Sequence, residues 1–354
     1  MKLTRTSHLW GANLFNMLRP PARDPFPDVI GTFMARDAFA LAVSLLRLSP
    51  RDIVVLPAYL CREVLKPFLG KTRVAFYDVR PDLTVDPADI EKAAAAHDVK
   101  AVVIINYFGF LQPHRAEIKQ ILSAKNIALI EDCAHSLLTK GSGETGDISI
   151  FSFRKLLPVP DGGGVKTAAP IPVTPEFHPR LYSNVLSGLA LLKSLMGVQS
   201  ALLSRAGLSA QPVSDLSVEN PEKGPSRFLP LSSFSKNGIG NCSFREIIEN
   251  RRSDYLFWQE VSRRTSLFKP VFDAFDSGVC PMGCPVLSER RDAFMERLLQ
   301  LGIAAKIHWR LPEHIESEFA NSRELSAKIL TLPVYPELTG EDRERISSTL
   351  GTLA

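Results

Sequence analysis

Ile127-Ala128-Leu129-Ile130-Glu131-Asp132-Cys133-Ala134-His135-Ser136 runs from an unbroken apolar stretch into a carboxylate and an imidazole three positions apart. Apolar side chains at every position, rather than at alternate ones, predict a strand covered on both faces, as in a mainly parallel sheet clothed by helices. Groups just past the carboxyl end of such a strand stand where ligands bind in an open α/β sheet. Similar runs precede and follow it: Ile53 to Leu56, Val74 to Tyr77, Ala101 to Ile105 and Ile148 to Phe151. Between them lie helical patterns, Arg36 to Leu46, Pro87 to Ala96 and Pro113 to Lys125, the last two opening on proline, whose fixed φ suits a first turn. The alternation from Arg36 to Thr167 predicts an α/β domain.

Beyond Thr167 the texture changes. Ala168 to Pro175 is proline-rich and Ala210 to Arg227 is polar and irregular, so 168–227 has the character of a linker. Within it, Leu181 to Arg205 is a greasy helix with Val185, Leu189, Leu192 and Met196 on one face. It is read as packed on the body or on a partner subunit, because its polar face carries too little positive charge for a membrane surface. Helical stretches at Phe244 to Arg264, Ser288 to Leu301 and Thr339 to Leu350 flank strand-like runs at Gly302 to Ile307 and Leu330 to Leu332. The expected organisation is a large α/β domain over residues 1–225 and a smaller α+β domain over 226–354.

Composition excludes several classes. With 354 residues, 45% hydrophobic and 23% charged, the chain has ample apolar material for a core and no disorder signature. A net charge of +4, scattered, is too mild to imply nucleic acid. Five cysteines without regular spacing argue against a disulfide framework and for a reducing cytoplasm. The first residues lack a signal-peptide core, and no window reaches the roughly 18 apolar residues of a membrane span.

Two motif matches fail on context. Gly141-Ser142-Gly143-Glu144-Thr145-Gly146 spells G-x-G-x-x-G, yet a strand follows it where a dinucleotide site needs a helix, so it is read as a turn. Cys280 and Cys284 offer two thiolates with no second ligand pair, so no metal centre is expected. The paired arginines at 251–252, 263–264 and 290–291 are read as solvated helix faces.

More telling is the stretch some twenty positions past Asp132. A strand ends in Ser152-Phe153-Arg154-Lys155, and a proline-flanked turn leads to Asp161-Gly162-Gly163-Gly164. A lysine for a Schiff base, an aspartate for a pyridinium nitrogen, and a hydroxyl or glycine backbone for a phosphate are the groups that pyridoxal phosphate demands.

With these residues in order, the chain resembles the DegT/StrS-type (DegT/DnrJ-like) aminotransferases, fold type I pyridoxal-phosphate enzymes that act mostly on nucleotide-linked keto sugars. Val54 to Tyr59, Phe76 to Val79, Asn106 to Gly109, Glu131 to His135, Ser152-Phe153, Asp161 to Gly163, Gly302-Ile303 with His308-Trp309, and Leu332-Pro333 all fall in family order. The resemblance implies a cytoplasmic homodimer that transfers an amino group from an amino acid, glutamate above all, to a nucleotide sugar. It implies Lys155 as the Schiff-base lysine and proton shuttle, Asp132 on the pyridine nitrogen, His135 near the ring oxygen and Ser152 on the phosphate. A regulatory or inert homologue that binds the cofactor without transamination is the alternative.

The chain departs from the family pattern in four places. Only Arg154 separates Ser152-Phe153 from the lysine, where the family has three residues; the spacing from Lys155 to Asp161-Gly162-Gly163 selects it over Lys140 and Lys166. Ala35-Arg36 stands where the family has Gly-Thr or Gly-Ser, which makes Ala35 and Arg36 candidates for the phosphate. Cys61 occupies the place of the ring-stacking aromatic, with Tyr59 as a substitute. No Gly-Tyr-Asn segment is recognisable from Leu229 to Gly240.

Overall fold

The computed structural model describes residues 14–21, 23–95, 98–169, 175–205, 228–311, 315, 318–335 and 338–350. Its first part comprises α1 (Leu14–Leu18), β1 (Ile30–Thr32), α2 (Ala35–Leu45), β2 (Ile53–Pro57), α3 (Arg62–Leu65), β3 (Arg73–Tyr77), α4 (Pro87–Ala93) and β4 (Val99–Ile105). A 3-10 turn (Tyr107–Gly109), α5 (Arg115–Ala124), β5 (Ala128–Asp132), β6 (Ile148–Ser152), α6 (Phe153–Leu156) and β7 (Gly163–Thr167) follow. Seven strands form one sheet in the order β1-β7-β6-β5-β4-β2-β3. The five from β3 to β6 are parallel, whereas β7 runs antiparallel to both its neighbours. Every residue of β6 is buried, as is all of β4 except Lys100, which is why these strands carry no alternation. The fold is thus the mixed α/β architecture with a large, mainly parallel sheet.

Helix α4 starts where proline places it, with Asp86 accepting from the Ala88 N–H at 2.9 Å as N-cap. Helix α5 begins at Arg115, two residues after the proline expected to open it.

Two strands of this sheet were not expected. The Gly163–Thr167 segment reads as a glycine turn but forms β7, pairing Ser152 with Gly163 and Phe151 with Gly164. A Cβ on Gly163 would stand 2.3 Å from the Met34 carbonyl carbon, so glycine here lets the start of α2 lie directly on the strand. That contact, not a reversal of the chain, explains the glycine run. Strand β1 pairs Gly31 with Gly164.

The later part contains α7 (Arg180–Arg205), α8 (Ser233–Gly240), α9 (Phe244–Ser262), β8 (Lys269–Pro270), β9 (Cys284–Leu287), α10 (Arg291–Gln300), α11 (Ala320–Lys328), β10 (Ile329–Leu332) and α12 (Gly340–Leu350). A second, antiparallel sheet has the order β10-β9-β8. The run Gly302 to Ile307 is not a strand. Gly302, at φ +74°, terminates α10, with Ile303 N–H donating back to Leu298 O, and only Lys306 bridges to Thr331. The helix end consumes the residues whose apolar character suggested a strand. Residues 228–240 make their contacts with the large sheet: Leu231 packs on Gly31 and Phe33 N–H donates to Leu229 O. The irregular stretch from Ala210 to Arg227 lies outside the described residues.

Candidate active site

Three consecutive features of the large sheet converge at its carboxyl edge. Asp132 is the last residue of β5, and β6, lying beside it in parallel register, ends at Ser152. The chain then turns through α6, carrying Lys155, before entering β7.

Asp132 is buried, and its Oδ1 accepts from the Ala134 N–H at 2.9 Å. Burial raises its pKa, against which the Lys155 charge pulls downward. Lys155 keeps a solvent-exposed side chain, yet enough protein surrounds it for desolvation to lower its pKa, with Asp132 opposing. The two groups feel each other's charge without a contact ion pair.

His135 lies in the turn after β5, buried, its Nδ1 accepting from the Phe108 N–H at 3.2 Å. Burial first and the Lys155 charge second hold its pKa well below the usual imidazole value. Phe108 itself is held at φ +54° in the 3-10 turn. Around them His308 and Trp309 close in from the later part of the chain. The Trp309 ring lies 5.6 Å from His135 and 5.3 Å from Tyr59, and His308 Nδ1 is 2.8 Å from Thr331 Oγ1. Burial, then Lys155 and Lys306, pushes His308 down to about 3.

Tyr59 is fully buried, its carbonyl accepting from the Tyr107 hydroxyl at 2.5 Å, while its own hydroxyl makes no hydrogen bond of standard geometry. Cys61, half-buried at the start of α3, is close enough for Lys155 to feel it. Ser152 is buried and its hydroxyl bonds to nothing among the described residues. Ala35 opens α2 against Gly163, the strand partner of Ser152. The Arg36 guanidinium pairs with Glu63 Oε2 at 2.6 Å rather than with Asp37, whose carboxylate instead accepts from the Met34 N–H.

Two buried carboxylates were not singled out from the sequence. Glu131, one residue before Asp132, accepts from the backbone N–H groups of Gly143, Thr145 and Gly146 and from Asn106 Nδ2. The G-x-G-x-x-G turn therefore wraps an acidic side chain of its own protein. Asp161 accepts from the hydroxyls of Ser187, Ser232 and Ser235 and from the Ser232 N–H, binding α7 and α8 to the turn that follows Lys155. The Asp161-Gly162-Gly163 spacing marked the position but not these donors, which lie 26 to 74 residues away.

Residues 27–172 match the model of the DegT/DnrJ/EryC1/StrS aminotransferase family. Over these residues the chain is similar to that family. Among curated relatives, Protein MosB of Rhizobium meliloti is 33% identical over 150 residues, 40% of this chain and 29% of that protein. The UDP-N-acetyl-3-dehydro-alpha-D-glucosamine 3-aminotransferase of Acidithiobacillus ferrooxidans is 24% identical across 91% of this chain and 83% of its own. The putative sugar aminotransferase Spr1654 of Streptococcus pneumoniae, solved in a PLP form, shares the fold with a TM-score of 0.67 at 17% identity, over 92% of this chain and 86% of that one. The cofactor of this aminotransferase family is pyridoxal phosphate, and the residues present fit it. A solvent-exposed amine and a buried carboxylate stand within electrostatic reach of each other, together with a buried imidazole and a serine hydroxyl that bonds to nothing among the described residues. Among the described residues, no helix is long and apolar enough to cross a membrane.

Proposed function

We propose that the chain transfers an amino group from an amino acid, glutamate in the first instance, to a keto sugar carried on a nucleotide. The observation that carries this reading is that the exposed but desolvated Lys155 amine, just past the end of β6, lies within electrostatic reach of buried Asp132 at the end of β5. Bound pyridoxal phosphate supplies an aldehyde for amine exchange and a ring that withdraws electrons from the carbon beside the nitrogen.

The protein's part is to set protonation states. Lys155 must act as a neutral amine, both to hold the cofactor and to move a proton, and desolvation lowers its pKa toward that form. Asp132 holds a proton on the ring nitrogen through its carboxylate. His135 is neutral, and because Nδ1 accepts from Phe108, its Nε2 is the donor available to a ring oxygen. Ser152 offers a free hydroxyl to the phosphate, beside the start of α2 at Ala35 and Arg36, and Tyr59 with Trp309 supplies aromatic surface.

The glutamate donor and the nucleotide sugar are suggested by the resemblance, and a sugar-nucleotide acceptor also by the relative from Acidithiobacillus. A homodimer, with the cytoplasm as its place of work, completes the reading. Its support is an exposed apolar row on α7 formed by Leu181, Val185, Leu189 and Leu192. Light scattering that returned a monomer still active in transamination would remove the dimer from the proposal.

Adding glutamate to the loaded protein should bleach the cofactor's absorbance with release of one equivalent of 2-oxoglutarate. Borohydride reduction followed by peptide mass spectrometry should place the cofactor on Lys155, and Lys155→Ala should retain none covalently. An adduct on Lys140 or Lys166 would overturn the site, and a band indifferent to every amino acid would favour the inert, regulatory reading.

A further inference from the structure

We propose that Arg154 is the cation that reads the cofactor's phosphate in this chain, an inference that rests on the pyridoxal phosphate assignment above. Arg154 is the sole residue between Ser152-Phe153 and Lys155. Its side chain is half-buried and takes part in no hydrogen bond or ion pair among the described residues. Removing a guanidinium from water without a partner is costly, so a native fold that does so leaves a place for an anion.

Its surroundings sharpen the point. Arg154 lies within electrostatic reach of two further cations, Arg36 and Lys155. Arg36 is already engaged by Glu63, which also holds Lys66. The carboxylate Arg154 does feel, Asp161, has both oxygens taken by three hydroxyls and a backbone N–H. Neither neighbour neutralises Arg154. The unengaged Ser152 hydroxyl lies two residues away, and Gly163, paired with Ser152, brings the Ala35 end of α2 to the same spot.

A dianion entering there would meet a hydroxyl, the Ala35 end of α2 and an uncommitted guanidinium. The planar fork of arginine binds phosphate through two parallel hydrogen bonds, which lysine cannot reproduce. A phosphate ester meets this description better than a carboxylate because its two charges answer more than one cation. In this chain the shortened link before Lys155 thus puts an arginine where the phosphate is bound.

The test compares pyridoxal phosphate with pyridoxal, which lacks only the phosphate, on the apoprotein of wild type, Arg154→Gln and Arg154→Lys. Arg154→Gln should weaken pyridoxal phosphate binding about 10- to 100-fold, the range of a charge-assisted hydrogen bond, while pyridoxal binds as before. Arg154→Lys should fall between. Inorganic phosphate should raise the melting temperature of wild-type apoprotein and do so less for Arg154→Gln. Equal losses for both ligands, or none, would overturn the proposal. So would unchanged discrimination together with a raised KM for the amino donor, since Arg154 would then read the donor's carboxylate. Wild-type protein that takes up no pyridoxal phosphate would overturn the cofactor reading itself, and this inference with it.

Discussion

The backbone N–H of Phe108 donates to Nδ1 of His135 at 3.2 Å. A ring nitrogen that accepts carries no proton, so the buried imidazole is the Nε2–H tautomer, and its lowered pKa keeps it there. Nitrogen-detected NMR of the apoprotein should show His135 fixed in that tautomer, with no titration between about pH 5 and 8. A midpoint at the ordinary imidazole value would contradict the assignment.

Asp132→Asn keeps the size of the side chain and an oxygen for the Ala134 N–H, so the fold should survive. It removes the charge that, in the proposed function, holds a proton on the ring nitrogen. The half-reaction with glutamate should slow by at least about 10²-fold while cofactor is still bound, as stopped-flow absorbance would report. Near-normal turnover in the substituted protein would exclude that role.

His308 makes stability pH-dependent. Its pKa falls from 6.5 when unfolded to about 3 in the fold, so between these values the unfolded chain binds more protons and stability declines as pH drops. The slope is at most about 1.4 kcal/mol per pH unit, less for a partly exposed ring. His308→Gln should flatten the acid side of the stability curve of the apoprotein measured by urea unfolding, and an unchanged slope would show that the imidazole charges freely in the fold.

Truncating Asp161 to alanine leaves the hydroxyls of Ser187, Ser232 and Ser235 without their shared acceptor. Unsatisfied buried groups of this kind cost about 1–3 kcal/mol each before relaxation, so Asp161→Ala should lower stability by roughly 2–4 kcal/mol. Calorimetry checks this. A loss below about 0.5 kcal/mol would mean that water replaces the carboxylate at little expense.

The central sheet was legible because β4, β5 and β6 carry mostly apolar runs, such as Ala101 to Ile105 and Ala128 to Ile130, of the kind that parallel strands buried on both faces require. Asp132, His135, Ser152 and Lys155 were legible because they stand at strand ends or just past them, where local pattern fixes position. Strand β7 was hidden: Gly163 answers to Met34 and Gly164 to Val29, each more than a hundred residues earlier, and glycine by itself speaks for a turn. The engagement of Arg36 by Glu63 depends on where α3 lands relative to α2, which no spacing reveals. His308 and Trp309 stand in family order, yet their approach to Lys155 arises from folding over some 150 intervening positions.

The carboxylate of Glu131 gives the glycine-rich turn a tethered counter-ion. The N–H groups of Gly143, Thr145 and Gly146, which such a turn could point at a nucleotide's phosphates, are already spoken for at an effective concentration no dissolved ligand can match. The segment behaves as a plugged socket: it staples residues 143–146 to the strand that presents Asp132, and it would repel a second anion. Nucleotide affinity would emerge there only in a chain that had first lost Glu131, and losing it would also loosen the strand end on which Asp132 rides.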